Sequence, residues 1–314
     1  EDRPQTLLAF ERCFPWPGRF SLQVLPGGSV VLIEAQGQDL ETAVLPCPYL
    51  DRTDVVRLSY SWNAVAGFAR LAIERPEPDS QHMVDLKAPR PMILTDMRDL
   101  MTRPEHHEID ANVMQIGLSD SIEPVGPNPG FLPKTPILTD QGERHIHTLK
   151  RGDLVVTDAG DLVPVLHVIR REVPAQGAFR PVCLRAGYFG LKRNLILAAE
   201  QRIVMHGTDV EYMFGHEAAA VPARHLINDS SASYVDGPAT LSLYQIVLPN
   251  HEAIIASGCP VESLYIGRIR RRAEKLSASV LSHIDRALLP EHARPVWPVL
   301  KPFEAITLAS TRAA

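Results

Sequence analysis

An all-β protein of two domains, with one helix near the C-terminus, is the fold class this sequence predicts. Three observations carry the prediction. The 27 prolines in 314 residues are spread along the chain and disfavour long helices. Short segments that alternate apolar and polar residues recur between Gly, Asp, Asn and Pro. Pro124 to Gly130 holds three prolines and two glycines in seven residues, a composition no sheet interior accommodates. The boundary is therefore set there: a β-sandwich over 1–125, a second β domain over 126–267, and a helix with an extension over 268–314. The join itself is expected to be exposed and extended.

Phe20 to Val24 alternates, Pro26-Gly27-Gly28 turns, and Val30 to Ile33 resumes the strand. Val55 to Trp62 and Phe68 to Arg75 alternate on either side of Asn63 to Gly67, which predicts a hairpin. Trp62 is assigned to the core face of that hairpin. Beyond the join, strands are predicted at 136–139, 154–157, 163–169, 180–185, 195–197, 203–205, 241–248 and 252–256. Ile269, Ala273, Leu276, Val280, Ile284 and Leu288 recur at helical steps, so a helix is predicted over 268–288, ended by Pro290.

Composition narrows the function. A net charge of −5 gives no electrostatic reason to expect nucleic acid. No apolar run has the ~18–20 residues of a membrane-spanning helix. Cys13, Cys47, Cys183 and Cys259 are far apart and form no CxxC pair, which disfavours a thiolate zinc site; a Cys13–Cys47 disulfide stays open. The chain opens at Glu1 without a secretory apolar segment, and its compartment stays open.

The segments after Pro129 follow a recognisable order. Gly130-Phe-Leu-Pro-Lys-Thr-Pro-Ile-Leu-Thr139 is followed by Leu149-Lys-Arg-Gly-Asp-Leu-Val-Val-Thr157. Next come Arg180 to Gly187, Leu195 to Val204, Val221 to Asn228, His251 to Gly258 and Glu262 to Gly267. This series resembles the bacterial Hint domain, the self-processing fold shared by Hedgehog proteins and inteins. The resemblance implies a β domain in which a first-position Cys or Ser attacks the preceding carbonyl. A His in a later S-P-x-H-R block then protonates the departing nitrogen. Here Gly130 stands in the nucleophile's place and Gln201, in Ala198-Ala-Glu-Gln-Arg202, stands in that of the His. Gly has no attacking atom, and Gln does not exchange a proton near neutral pH. His251 aligns with the family's late His-Glu block, either as a relic of the centre or as a turn residue. A more distant resemblance, carried by Val56 to Trp62 and Gly67 to Ile73, links the first domain to the concanavalin A-like, laminin-G jelly roll.

The resemblance therefore implies a non-enzymatic, degenerate Hint protein with no catalytic residue, cofactor or metal. Protein partners or self-assembly are expected, as in a secreted or particle-like assembly. Autoprocessing before Gly130 by an unconventional nucleophile and glycan binding by the sandwich remain as alternatives. His145 and His147 have the spacing of two metal ligands but need a third, so they are assigned to a polar face. His106-His107, Asp110, Asn112 and Asp120 are assigned to loops without a calcium motif. Arg268 to Arg272 is assigned to a solvated helix face.

Overall fold

The computed structural model describes residues 3–47, 55–75, 81–87, 89–90 and 92–313. The chain divides into two compact units, Glu1–Val125 and Gly126–Ala314.

In the first unit, β1 (Gln5–Arg12), β2 (Gly18–Val24), β3 (Val30–Gln36) and β4 (Asp39–Leu45) form an antiparallel meander. The predicted hairpin is β5 (Arg57–Asn63) with β6 (Phe68–Glu74), and β7 (His82–Leu86) extends it. A helix, α1 (Leu94–Thr102), and a short strand, β8 (His107–Ile109), complete the unit. The sheets run β4-β3-β2-β1-β8 and β5-β6-β7. Their inner faces share one core around Phe10, Phe20, Leu32, Leu45, Leu71 and Ile73. Alternation makes the sandwich: Phe20 and Leu32 point inward while Ser21 and Ile33 take the other face. Trp62 packs against this core and stacks on Tyr60 at 5.3 Å.

The second unit holds β9 (Pro136–Thr139), β10 (Gly142–His145), β11 (Leu154–Val156), β12 (Leu162–Pro164), β13 (His167–Pro174), β14 (Pro181–Leu184) and β15 (Leu195–Ala198). Then come β16 (Arg202–His206), α2 (Thr208–Phe214), β17 (Ala218–Pro222), β18 (Ala232–Tyr234), β19 (Thr240–Val247), β20 (Ala253–Ala256) and β21 (Cys259–Glu262). The largest sheet runs β12-β11-β9-β20-β21-β16-β17, with β10 paired to β9. Two smaller sheets, β13-β19 and β15-β14-β18, are joined by Phe131, which bridges both Leu197 and Tyr244 and is fully buried. The eight strand predictions in this unit fall on strands, although 163–169 spans two, broken at Val165.

Three sequence expectations are corrected. Of 124–130, Asn128 alone is exposed, and Val125, Pro129 and Gly130 are buried, so the join is not a solvated tether. The predicted helix over 268–288 is a string of turns around α3 (Ala273–Ala278). Ser279 ends it: its Oγ donates to the Leu276 carbonyl at 2.9 Å and accepts from the Leu281 N–H at 3.1 Å. A serine that bonds backbone in this way competes with helix propagation. Ile269, Leu276 and Val280 are still buried, because successive turns repeat at nearly helical spacing. The C-terminal helix is instead α4 (Pro302–Ala313), with proline at its start and the Glu304 carboxylate accepting from the Lys301 N–H at 2.7 Å. Leu300, Ala305, Leu308 and Ala309 join the main core of the unit, and Val299 pairs beside Ala220.

Candidate functional site

Gly130 is clamped by backbone on two sides. Its N–H and that of Phe131 donate to the Tyr244 carbonyl at 3.2 and 2.9 Å, and its own carbonyl accepts from Ala198 N–H at 2.8 Å. The loop after β15 then turns, with Gln201 N–H donating to the Ala198 carbonyl at 3.0 Å. That turn lays the Gln201 side chain against Gly130. A Cβ on residue 130 would lie 2.7 Å from the Cβ of Gln201 and 2.8 Å from its Cδ, and closer still to Oε1. Distances under 3 Å between such atoms force something to move, so glycine here is a packing requirement.

The Gln201 amide is satisfied. Its Nε2 donates to the Glu262 carbonyl at 2.9 Å, and its Oε1 accepts from Gln245 Nε2 at 2.8 Å. Gln245 Oε1 in turn accepts from the Ile246 N–H at 3.0 Å. Both glutamines are buried, as their full bonding requires.

Residue 262 links this amide cluster to an ionic one. The Glu262 carboxylate accepts from Arg202 Nη1 at 3.1 Å and lies 3.0 Å from His251 Nε2. Burial pushes the carboxyl upward, but the Arg202 guanidinium and His251 outweigh it and hold Glu262 below the usual carboxylate range. His251 Nδ1 accepts from the Val296 N–H at 3.2 Å, which assigns the ring proton to Nε2, facing the carboxylate. Tyr265 and Trp297 meet the same ring edge-on at 5.0 and 5.3 Å. His292 has both nitrogens occupied: Nδ1 accepts from Ile266 N–H and Nε2 donates to the Leu248 carbonyl. Burial pushes its pKa down to about 4, with the Leu248 carbonyl opposing and His251 adding to the fall.

The structure thus brings Gly130 against Gln201 and ties both to His251 through residue 262. Sequence reading did not single out Gln245, Arg202, Glu262 or His292. Gln245 had a signal: it occupies the apolar phase of β19, with Leu241, Leu243 and Val247. The remaining candidates lie elsewhere. His145 and His147 stack at 5.8 Å, and each Nδ1 bonds a backbone carbonyl, of Lys134 and Pro133. Asp110 caps its own turn through Asn112 N–H. Among the described residues no three His, Cys, Asp or Glu side chains converge as a metal site. All four cysteines are free thiols, and burial, with the charge of Asp158, pushes Cys259 up to about 12. No helix among the described residues is long and apolar enough to cross a membrane.

The Hint domain family model matches residues 129–268. Those residues, in the second unit, form a Hint-type domain. Among solved structures it is similar to the gp41-1 intein, at 14% identity over 43% of this chain and 98% of that one, with a TM-score of 0.28. It is also similar to the MchDnaB-1 intein, at 14% identity, 41% and 97% coverage and a TM-score of 0.30. A third is a bacterial intein-like domain from Clostridium thermocellum, at 13% identity, 43% and 99% coverage and a TM-score of 0.30. No curated protein matches the chain.

Proposed function

We propose that this Hint domain is non-catalytic and that the chain works by binding or assembly, as a component of a secreted or particle-like structure. One observation carries the reading: the Gln201 side chain fills the space that a nucleophilic side chain on residue 130 would need. Acyl shift requires a thiol or hydroxyl beside the carbonyl of Pro129 and an acid to protonate the departing nitrogen. Gly130 supplies no such atom, and the Gln201 amide is held by Gln245 and Glu262. His251 does not substitute for the acid, since its two nitrogens face Glu262 and Val296 N–H. The test is intact-mass spectrometry of the purified chain after incubation with dithiothreitol or hydroxylamine. A single species of 34.7 kDa is expected. Thiol-accelerated cleavage between Pro129 and Gly130 would overturn the reading.

A further inference from the structure

A cavity of about 380 Å³ opens within the second unit, between the β14–β15 loop and the last turn of α4. Small-molecule sites have this size and combine apolar walls with a few convergent polar groups. The apolar walls here are Tyr188, Phe189 and Ala309. The two rings are tilted at 44° with centroids 6.2 Å apart. Phe189 also packs on the main core, which fixes its wall, whereas Tyr188 is exposed. Among the described residues no carboxylate lines the cavity.

The polar side of the cavity is made of donors. Arg312 lines it, and its guanidinium is held from behind: Nε donates to Asp209 Oδ2 at 2.7 Å, and Nη2 donates to Asp209 Oδ1 at 2.9 Å and to the His206 carbonyl. Its Nη1 donates to no group among the described residues. The backbone adds two more donors. Tyr188 has a negative φ, and Phe189 and Gly190 follow at 54° and 76°. A reversal of hand of this kind turns successive N–H groups to one side and makes an anion-binding concavity. The Tyr188 and Leu191 N–H groups donate to the Arg185 and Tyr188 carbonyls at 3.3 and 2.9 Å, but those of Phe189 and Gly190 donate to nothing among the described residues. An aromatic residue is rare in the left-handed region, and backbone held there clusters at ligand sites. The Ser231 hydroxyl, also in the lining, donates to Asn228 Oδ1 and offers the cavity no proton.

We propose that this cavity binds a small molecule that carries one anionic group, a carboxylate or a phosphate, on an aromatic or apolar body. The anion accepts from Arg312 Nη1 and from the Phe189 and Gly190 N–H groups, and the body lies against Tyr188 and Phe189. Unspent donors on a fixed guanidinium and on backbone favour an anion, because charge-assisted bonds are the strong ones and the donors are already in place. The same donors, with no carboxylate in the lining, repel a cation. The aromatic walls favour a ligand with a ring over a bare inorganic ion. Gly130 and Gln201 take no part, so the inference goes beyond the non-catalytic reading and does not depend on it.

Titration of the isotope-labelled full chain with benzoate, phenyl phosphate and benzyl alcohol, followed by amide chemical shifts, tests the site. At least one of the two anions should shift the Phe189 and Gly190 amides saturably, and the tighter of them identifies the head group. Benzyl alcohol should bind at least about tenfold more weakly, since it lacks the charge that the donors meet. Arg312→Gln should weaken the anions about tenfold and leave benzyl alcohol unchanged. That variant also loosens α4 from Asp209, so Tyr188→Ala, on an exposed loop, is the second: it should weaken all three ligands and keep the wild-type unfolding temperature. Absence of a saturable shift at both amides with both anions overturns the inference. So does benzyl alcohol binding as tightly as the anions, inorganic phosphate binding as tightly as phenyl phosphate, or wild-type affinity in both variants. A chain that cleaves itself in thiol yet binds an anion here would sink the non-catalytic reading and leave this one standing; an intact chain that binds neither anion does the reverse.

Discussion

The two halves of the Hint centre meet at one residue and differ in kind. On one side, Gly130, Gln201 and Gln245 form a neutral cluster that ends on the Glu262 carbonyl. On the other, Arg202, His251 and the Glu262 carboxylate form a buried ionic cluster. Neutral amides can fill space at modest electrostatic cost provided each is bonded. Buried charges persist only as a set, because losing one member strands the others in a poor dielectric. On the non-catalytic reading proposed above, the difference is between a half that has lost its reactive groups and a half that keeps the framework: the ionic half holds β16 to β21 whether or not any bond is broken nearby. It also shows why residue 130 is glycine, since the Gln201 side chain laid against it leaves no room for a Cβ.

The comparison breaks most visibly in the ionic half. Arg202→Leu leaves the Glu262 carboxylate buried without its main partner and should destabilise the chain by roughly 3–5 kcal/mol. Urea denaturation of the variant against wild type measures this, and a loss under about 1 kcal/mol would mean the pair carries no structural weight.

Acid should find the same half. His292 has its pKa lowered by burial to about 4, from an ordinary value of 6.5. A lowered base is neutral in the fold and takes up its proton on unfolding, so its contribution is complete above pH 6.5 and is lost as pH falls towards 4. Glu262, also lowered, contributes above its unfolded pKa of 4.5 and loses that contribution as pH falls through its folded value. Stability should therefore drop by ~1–3 kcal/mol between pH 6.5 and 4 through His292. His292→Asn should flatten that part of the profile. His225, lowered by burial and by Arg224, supplies a slope that this variant leaves in place.

In the neutral half, Gly130→Ala should cost about 1–3 kcal/mol, the usual scale of overpacking. Thermal unfolding of Gly130→Ala beside Gly130→Ala/Gln201→Ala separates a clash with the Gln201 amide from a wider one. Because the added Cβ also meets the Cβ of Gln201, the double variant should recover only part of the loss. The smallest effect is expected from Gln245→Leu, about 1–2 kcal/mol, since it strips one donor from Gln201 Oε1. Amide hydrogen exchange at Ile246, whose N–H bonds Gln245 Oε1, should rise in that variant and in no strand of the first unit.

Much of this molecule was legible locally. The alternation of Phe20 to Val24 and of Val30 to Ile33, the hairpin around Asn63 to Gly67, and the Gly-Asp turn before Val155 follow from side-chain period and turn chemistry, which act over a few residues. Sequence reading leaves out β1, β4 and the helices α1, α2 and α4; the two strands are as long as those it finds, and their pairing partners, not local turn signals, define them. The apolar spacing from Ile269 to Leu288 was read as one helix, although consecutive turns bury the same residues, and Ser279 decides between them by bonding backbone at both sides.

The order of sequence blocks sets the expectation that Gly130 and Gln201 stand at the reactive positions of a Hint domain, because residue identity is local information. Tertiary structure decided what surrounds them. Gln201 meets Gly130 from 71 positions away, Gln245 donates to it from 44 and Glu262 accepts from 61, and no periodicity spans such separations. A buried amide or carboxylate takes its partners from whatever the packed strands bring within 3 Å, and only the folded chain sets that distance.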